Sequence, residues 1–413
     1  MGCFTAASFF RDRALFPMID RLNDDRASEG AANLLLRIGV ATAFIATPVF
    51  QLVSQRAIFI LPPIAAALIL AAGMALAPRL NLREILALLP TRVGLAASFL
   101  AFWMLLSLLW TPFPAEAAPR LIKALLTLLA VLPVAASLPA RTRAANLYFL
   151  PLGVAATAVA TLILTAFPPP DDVEIGAPDN LAIGMEAALL LLWPALAATH
   201  LRKRASLSAS LVIVVIAAAV SVPVPGALFA AALAALVVAL AFRDARRVGR
   251  WAGRIGAVCF LLAPLIPLLL NLKAGPDAAP WLQSLKIWRW LVVNDGLRIF
   301  TGHGFNFVSS GFWRGYLPVL TPRNMLFEIW TDLGLIGAVA AAVLTRVAFK
   351  AAAAQSERVA PFTLGALAYA FLMGLFGLAT THAWWITMLT LALGAFAFVV
   401  RGDYKTARPS APR

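Results

Sequence analysis

Charge is what this chain has least of. Charged residues fill 13% of its 413 positions while hydrophobic residues reach 62%, and the mean hydropathy is +0.87. Soluble domains carry about a quarter charged residues, so this shortage excludes a soluble globular protein and points to the membrane class. Cysteine is nearly absent. Cys3 and Cys259 are too few for a disulfide framework and lie in dissimilar surroundings. His200, His303 and His382 are the only histidines, and no C-x-x-C or H-x-x-x-H spacing occurs, so no metal site or cofactor is expected. Acids are scarce too, at 19 against 34 cations, for a net charge of +15. In a membrane protein such a balance is a matter of where the charges sit, and it does not call for a nucleic-acid partner.

What is abundant is long apolar runs. Crossing a bilayer takes roughly 17–25 such residues, and runs of that kind fall at 33–53, 57–77, 93–111, 121–139, 146–167, 181–199, 208–223, 225–242, 255–271, 324–345, 360–378 and 383–400. They predict an all-α polytopic membrane protein with about twelve transmembrane helices. The run 208–242 is split by "VPVPG", where Pro223 and Pro225 suit a tight hairpin better than a helix interior.

The cations set the expected topology. Most of the 34 fall on alternate connections, including Arg11 and Arg13, Arg79 and Arg83, Arg141 and Arg143, Arg202 to Arg204, the run from Arg243 to Arg254, and Arg346 with Lys350. By the positive-inside rule that side is cytoplasmic, with both termini inside. Residues 1–32 and 402–413 then read as cytoplasmic tails. Residues 33–271 hold nine helices, 272–322 form one large outer loop, and 323–400 hold the last three helices. No cleavable signal peptide is expected.

Two outer segments are longer than a turn. The first, "PPPDDVEIGAPDN" at 168–180, is acidic, with Asp171, Asp172, Glu174 and Asp179 and no cation. The second, 272–322, carries Lys273, Lys286, Arg289, Arg298 and Arg314, with Arg323 just beyond it. Cations on the outer side run against the rule that governs the rest of the chain. They suit either an anionic ligand at the outer leaflet, or snorkelling to lipid phosphates and pairing with the acidic segment. Within this loop "SLKIWRWLVVNDGLRIF" reads as an interfacial helix, its Trp288 and Trp290 at headgroup level and its Lys286 and Arg289 on one face. "TGHGFNF" makes a glycine turn around His303 and lacks the third glycine of a nucleotide fingerprint.

The stretch "TPRNMLFEIWTDLGLIG" at 321–337 sets polar groups at the head of a membrane helix. Asn324, Glu328 and Asp332 recur at i, i+4 and i+8, which stacks them on one face beside Arg323. A charge at membrane depth costs at least a few kcal/mol unless it meets a cavity or a partner. That face therefore either lines a polar cavity or joins a network tying the loop to the bundle. Glu186, in "LAIGMEAALLLLWP", is a second acid for such a cavity or a helix-end carboxylate.

At these residues the chain resembles the O-antigen ligase and polymerase family of bacterial envelope glycosyltransferases. That family opens a span with a His-Asn pair, a Gln four residues on, an acid four further, then Leu-Gly-x-x-Gly. The corresponding register here is Arg323, Asn324, Glu328, Asp332, Leu333, Gly334 and Gly337. "SLKIWRW…GLRIFTGHGFNF" is similar to the family's run into a G-x-G-F turn. Weaker similarity lies in "LLSLLWTPFPAEAAPRLIKALL", "LLLLWPALAA" and "HAWWITMLTLALGAF", so that it covers most of 95–400. The resemblance implies a GT-C-like helical bundle in the bacterial inner membrane with one large periplasmic loop. It implies metal-independent, inverting transfer of a glycan from a polyprenyl-diphosphate carrier to a glycan or lipid acceptor.

The chain departs from the family where its histidine stands. Arg323, with a pKa above about 12, cannot serve as a base. The outer connections "GAPDNLAIG" and "VSVPVPGAL" also lack the family's arginines. The resemblance then implies Glu328 or His303 as base, with Arg323, Arg289, Arg298 and Arg314 as the diphosphate clamp and Lys286, Asn324 and Asp332 as further substrate contacts. The same residues fit a non-catalytic member that binds lipid-linked glycan or scaffolds a polymerase. A secondary transporter is the third class, and it would show two related halves, which this sequence lacks.

Overall fold

The computed structural model of the protein describes residues 29–76, 90–139, 142–170, 174–269, 279–294, 296–377 and 382–403. The expected tails at 1–32 and 402–413 lie almost wholly outside the described residues, as do Lys273 and the Asp171–Asp172 pair. Every regular element among the described residues is helical. Among the described residues eight helices are long and apolar enough to cross a membrane, and three further apolar helices of 10–17 residues accompany them. The protein is a multi-span, all-helical membrane protein.

In chain order the helices are α1 (Glu29–Gln51), α2 (Ala57–Leu76), α3 (Arg92–Ser107), α4 (Pro114–Ser137), α5 (Phe149–Ala166), α6 (Pro178–Leu201), α7 (Ala205–Val220) and α8 (Pro225–Leu262). There follow the short α9 (Leu265–Leu269), then α10 (Pro280–Asn294), α11 (Arg298–Thr301) and α12 (Phe307–Trp313) within the large loop. The chain closes with α13 (Met325–Ala352), α14 (Ala360–Leu375) and α15 (Ala383–Gly402). Helix α6 is the hub: it is buried from Ala187 through Trp193 to Thr199 and packs against α5, α14 and α15.

Three boundaries bear on the sequence expectation, each for a local reason. The basic run expected as a connection at 243–254 is almost all helix. Only Asp244 leaves helical geometry (φ −155°, ψ 90°), and its Oδ1 accepts from the Arg247 amide at 2.9 Å as an N-cap does. The second half of α8 therefore starts at once. Its buried Gly249, Gly253 and Gly256 face Phe349, Arg346 and Thr345 of α13, so the two helices approach closely while the arginines point outward. Helix α4 begins at Pro114 rather than near 121, because proline is preorganised for a first helical turn and Glu116 suits the positive end of the helix dipole. That shift brings Glu116 and Arg120 onto a helix beside the loop. The "VPVPG" hairpin falls between α7 and α8 as its prolines require, closed by Val224 N donating to Val222 O at 2.8 Å.

Candidate functional site

The site grows from a break in α13. Gly334 has φ 66° and ψ −163°, a conformation open to glycine and strained for any other residue. Carbonyls just before the break turn away from the helix and are taken up from outside. Thr331 O accepts from the His303 amide at 2.9 Å and lies 3.1 Å from His303 Nδ1. Asp332 O accepts from the Gly304 amide at 2.9 Å, and Leu333 O from Trp103 Nε1 of α3 at 2.9 Å. The "TGHGFNF" turn thus lies across the opened backbone of α13.

Glycine is required wherever those backbones cross. A Cβ on Gly334 would stand 2.5 Å from Gly302 N and Phe300 O, and one on Gly304 2.5 Å from Thr111 Cα. The turn is also tied to the α3–α4 junction, for Ser107 Oγ accepts from Phe305 N at 3.0 Å and Thr111 Oγ1 donates to Phe305 O at 3.1 Å.

The acid in this motif is committed to structure. Asp332 is buried, its Oδ2 accepting from Asn306 N and its Oδ1 from Val308 N, both at 2.9 Å. The carboxylate therefore clamps the start of α12, with Asn306 held in the left-handed region at φ 68°. The Asn306 side chain extends the clamp outward. Its Oδ1 accepts from Arg120 Nη1 at 2.8 Å and its Nδ2 donates to Ser310 Oγ at 2.7 Å, while Arg120 also donates to Ser309 Oγ at 2.8 Å. Arg314 pairs with Glu116 and lies over the Phe113 ring. Loop and bundle are joined here by a continuous polar network.

Two cavities flank α10. The smaller, about 220 Å³, is bounded by Trp288, Leu291, Arg298, His303, Trp330 and Thr331, with Pro264 and Leu268 behind. His303 is buried in its wall, its ring stacked on Phe307 at 4.3 Å and 13°. The larger, about 440 Å³, lies between the start of α10 (Trp281, Ser284, Leu285, Trp288), Pro322 to Asn324, and the end of α14 at Leu375 to Gly377. Trp288 is common to both.

The sequence-predicted residues thus divide. His303 and Arg298 share the smaller cavity, and Arg323 and Asn324 share the larger. Arg323 is half-buried, its guanidinium 4.7 Å from the Phe312 ring and 5.7 Å from the Trp313 ring. Asn324 is the N-cap of α13, its Oδ1 accepting from the Phe327 amide at 2.9 Å. Glu328 is enclosed one turn from Asp332 and lies in the wall of neither cavity. Lys286 and Arg289 are half-buried on α10, and Arg314 is at the surface with Glu116. Glu186 lies on α6, where its carbonyl accepts from Tyr369 Oη at 3.1 Å, and it too is outside both walls. Among the described residues no three His, Cys, Asp or Glu side chains converge as metal ligands do.

Arg120, Asn306 and Trp288 do not stand out as site residues in the sequence. Asn306 has a signal, since asparagine directly after a G-x-G-F turn is a residue that tolerates positive φ. Capping by Asn324 predicts a modest effect: Asn324→Ala costs about 1 kcal/mol, read as a small drop in thermal unfolding midpoint in detergent.

Compared with models of known protein families and with curated protein sequences, the chain matches none. Its class is set by its own fold and composition, a multi-pass helical membrane protein with a polar loop-to-helix junction at one end of the bundle.

Proposed function

We propose that the protein is an inner-membrane glycan transferase of the O-antigen ligase and polymerase type. It would cross the membrane twelve times with cytoplasmic termini and a periplasmic loop at 272–322. The observation that carries this reading is His303 held at the broken helix α13 in the wall of the cavity that Arg298 also lines. An imidazole that donates from Nδ1 to the Thr331 carbonyl carries its lone pair on Nε2, the tautomer a general base needs.

In this reading a hydroxyl of the acceptor loses its proton to His303 Nε2. Its oxygen forms a bond to the anomeric carbon as the bond from that carbon to the carrier diphosphate breaks, with inversion. The electron pair leaves with the diphosphate, which remains on the polyprenyl chain. Arg298, with Arg289 and Lys286 of the neighbouring α10, supplies the positive charge for the leaving group. Asp332 and Asn324 hold the scaffold, and Arg323 stands where the related family has histidine. A non-catalytic, glycan-binding role is the second reading, favoured by the enclosure of Glu328 and the commitment of Asp332 to main-chain amides.

The test is complementation in the host of origin. Deletion of the gene is expected to remove or shorten a surface polysaccharide on gels, wild type to restore it, and His303→Gln at equal protein level to fail. Full restoration by His303→Gln would sink the catalytic reading in favour of binding, and an unchanged polysaccharide on deletion would sink both.

A further inference from the structure

At the end of the bundle opposite the large loop, the seam between α8 and α13 carries cations on both of its banks. We propose that this seam binds an anionic phospholipid of the adjoining leaflet, one whose headgroup bears two phosphates. Such a site stands whether or not the other end of the bundle does chemistry.

The seam is built on glycine. A Cβ on Gly249 would stand 2.5 Å from Ala353 Cβ, and one on Gly256 2.7 Å from Thr345 Cγ2, so α8 and α13 run antiparallel in close contact. Helix α14 closes one side of the seam, where the same two Cβ atoms would meet Leu364 at 3.4 Å and Phe371 at 3.5 Å. A helix turns about 100° per residue, which places Arg246, Arg250 and Arg254 in one row on the other side of the glycines. By the same turn Arg346 and Lys350 leave α13 on that side, and all five are exposed. Gly253 lies level with Arg346, whose carbonyl oxygen would be 3.1 Å from an added Cβ, so the cations alternate in height across the seam.

No carboxylate among the described residues pairs with any of the five. Asp244 caps the Arg247 amide, and Asp403 pairs with Arg358. Like charges this close repel one another, most of all beside a medium of low dielectric. Arg254 has the greatest need of an anion. It stands about 15 Å along the helix from the Asp244 turn, where a charge must reach a phosphate or water. Its guanidinium lies 5.2 Å from the centre of the exposed Trp251 ring, which occupies the face of the group and leaves its edge donors for an anion. Topology alone asks only for positive charge at this end, not for two rows facing each other across a seam.

The row from Arg246 to Arg254 rises about 12 Å, too far for one phosphate to reach both ends. Arg250, Arg254 and Arg346 form an upper group of donors, and Arg246 and Lys350 a lower one. Two phosphates on one headgroup satisfy both groups at once. Above the cations the same face turns apolar, with Val258 of α8 and Val343 of α13 exposed. Acyl chains can lie there while the headgroup stays with the arginines, which suits a lipid and not a soluble polyanion.

The experiment uses the full chain in detergent, stripped of lipid and titrated with cardiolipin, phosphatidylglycerol or phosphatidylcholine. These carry two phosphates, one, and a zwitterionic headgroup, and bound lipid is counted by native mass spectrometry. One cardiolipin is expected to be retained in preference to phosphatidylglycerol, with phosphatidylcholine not retained. The triple variant Arg250→Gln, Arg254→Gln, Arg346→Gln is expected to weaken cardiolipin binding about a hundredfold. The control triple Arg202→Gln, Lys203→Gln, Arg204→Gln removes the same charge at the same end, next to the His200–Phe362 contact. It is expected to leave binding unchanged. The unfolding midpoint without lipid checks both folds, and Arg254→Gln alone, with about a fivefold loss, replaces the first triple if that one is unfolded. Equal loss in the two triples would reveal a general attraction of charge and overturn the site. Equal retention of cardiolipin and phosphatidylglycerol, or retention of neither, overturns it as well. None of these readouts uses transfer activity, so a failure here is distinct from a failure of the complementation test.

Discussion

Alanine at Gly334 is expected to leave almost no folded protein in the membrane. Two costs add at this one atom. The backbone there, φ 66° and ψ −163°, lies in a region that is essentially glycine's alone, and holding another residue in it costs about 1–3 kcal/mol. The new Cβ would also meet Gly302 N and Phe300 O at 2.5 Å. Both are main-chain atoms, so no rotamer change relieves the contact, and forced overpacking adds about 1–3 kcal/mol. Separating the turn from α13 would then loosen the bonds to Thr331 O and Asp332 O that the close approach permits. Marginal stability of about 5–15 kcal/mol leaves little reserve against such a sum. The control is Gly394→Ala, whose Cβ would meet only Val131 at 3.9 Å inside α15. That variant should accumulate like wild type, because alanine favours helix. Fluorescence of a C-terminal fusion and the thermal unfolding midpoint in detergent check both. Normal accumulation of Gly334→Ala would mean that α13 is continuous in the working protein.

How much of this is legible in the sequence depends on the kind of feature. Apolar runs announce the helices, because length and hydrophobicity are all a bilayer crossing requires. Their ends are less legible where charge misleads. The run from Arg243 to Arg254 looks like a connection, yet Asp244 alone interrupts it, and a helix can carry arginines on an outward face. The start of α4 is hidden for the same reason, since Glu116 and Arg120 look too polar to belong to it. Stacking of Asn324, Glu328 and Asp332 on one helix face is readable from their spacing, and so is the need for that face to avoid lipid.

What each of them does is not readable from spacing. Asn324 is a cap and Asp332 a clamp because of backbone amides that a residue pattern does not display. The pairing of the Gly302–Gly304 turn with the Gly334 break is equally hidden. It depends on two main chains meeting without side chains between them. Trp288 reads as an interfacial ring, while its place between two cavities comes from tertiary packing alone.

Asp332→Ala is the second variant with a large expected effect, and it separates a structural acid from a substrate contact. Removing the carboxylate strips two buried amides, Asn306 N and Val308 N, of their acceptors at 2.9 Å. A buried donor left unsatisfied costs about 1–3 kcal/mol, so the pair amounts to about 2–6 kcal/mol. Asp332→Asn keeps the size and one acceptor oxygen but turns an NH2 group toward the other amide. It is therefore expected to fall between alanine and wild type. A substrate-binding acid would behave otherwise, since loss of its charge would raise KM and leave the unfolding midpoint where it was. The midpoint in detergent, measured for all three proteins without substrate, distinguishes the two. A graded fall from Asp to Asn to Ala supports the clamp, and equal midpoints overturn it. On the transferase reading proposed above, the clamp would also bear on catalysis, because the turn it holds carries the His303 ring whose Nδ1 faces Thr331 O. Asp332→Asn should then lower kcat through a displaced His303 even in the fraction that folds, with KM the less affected quantity.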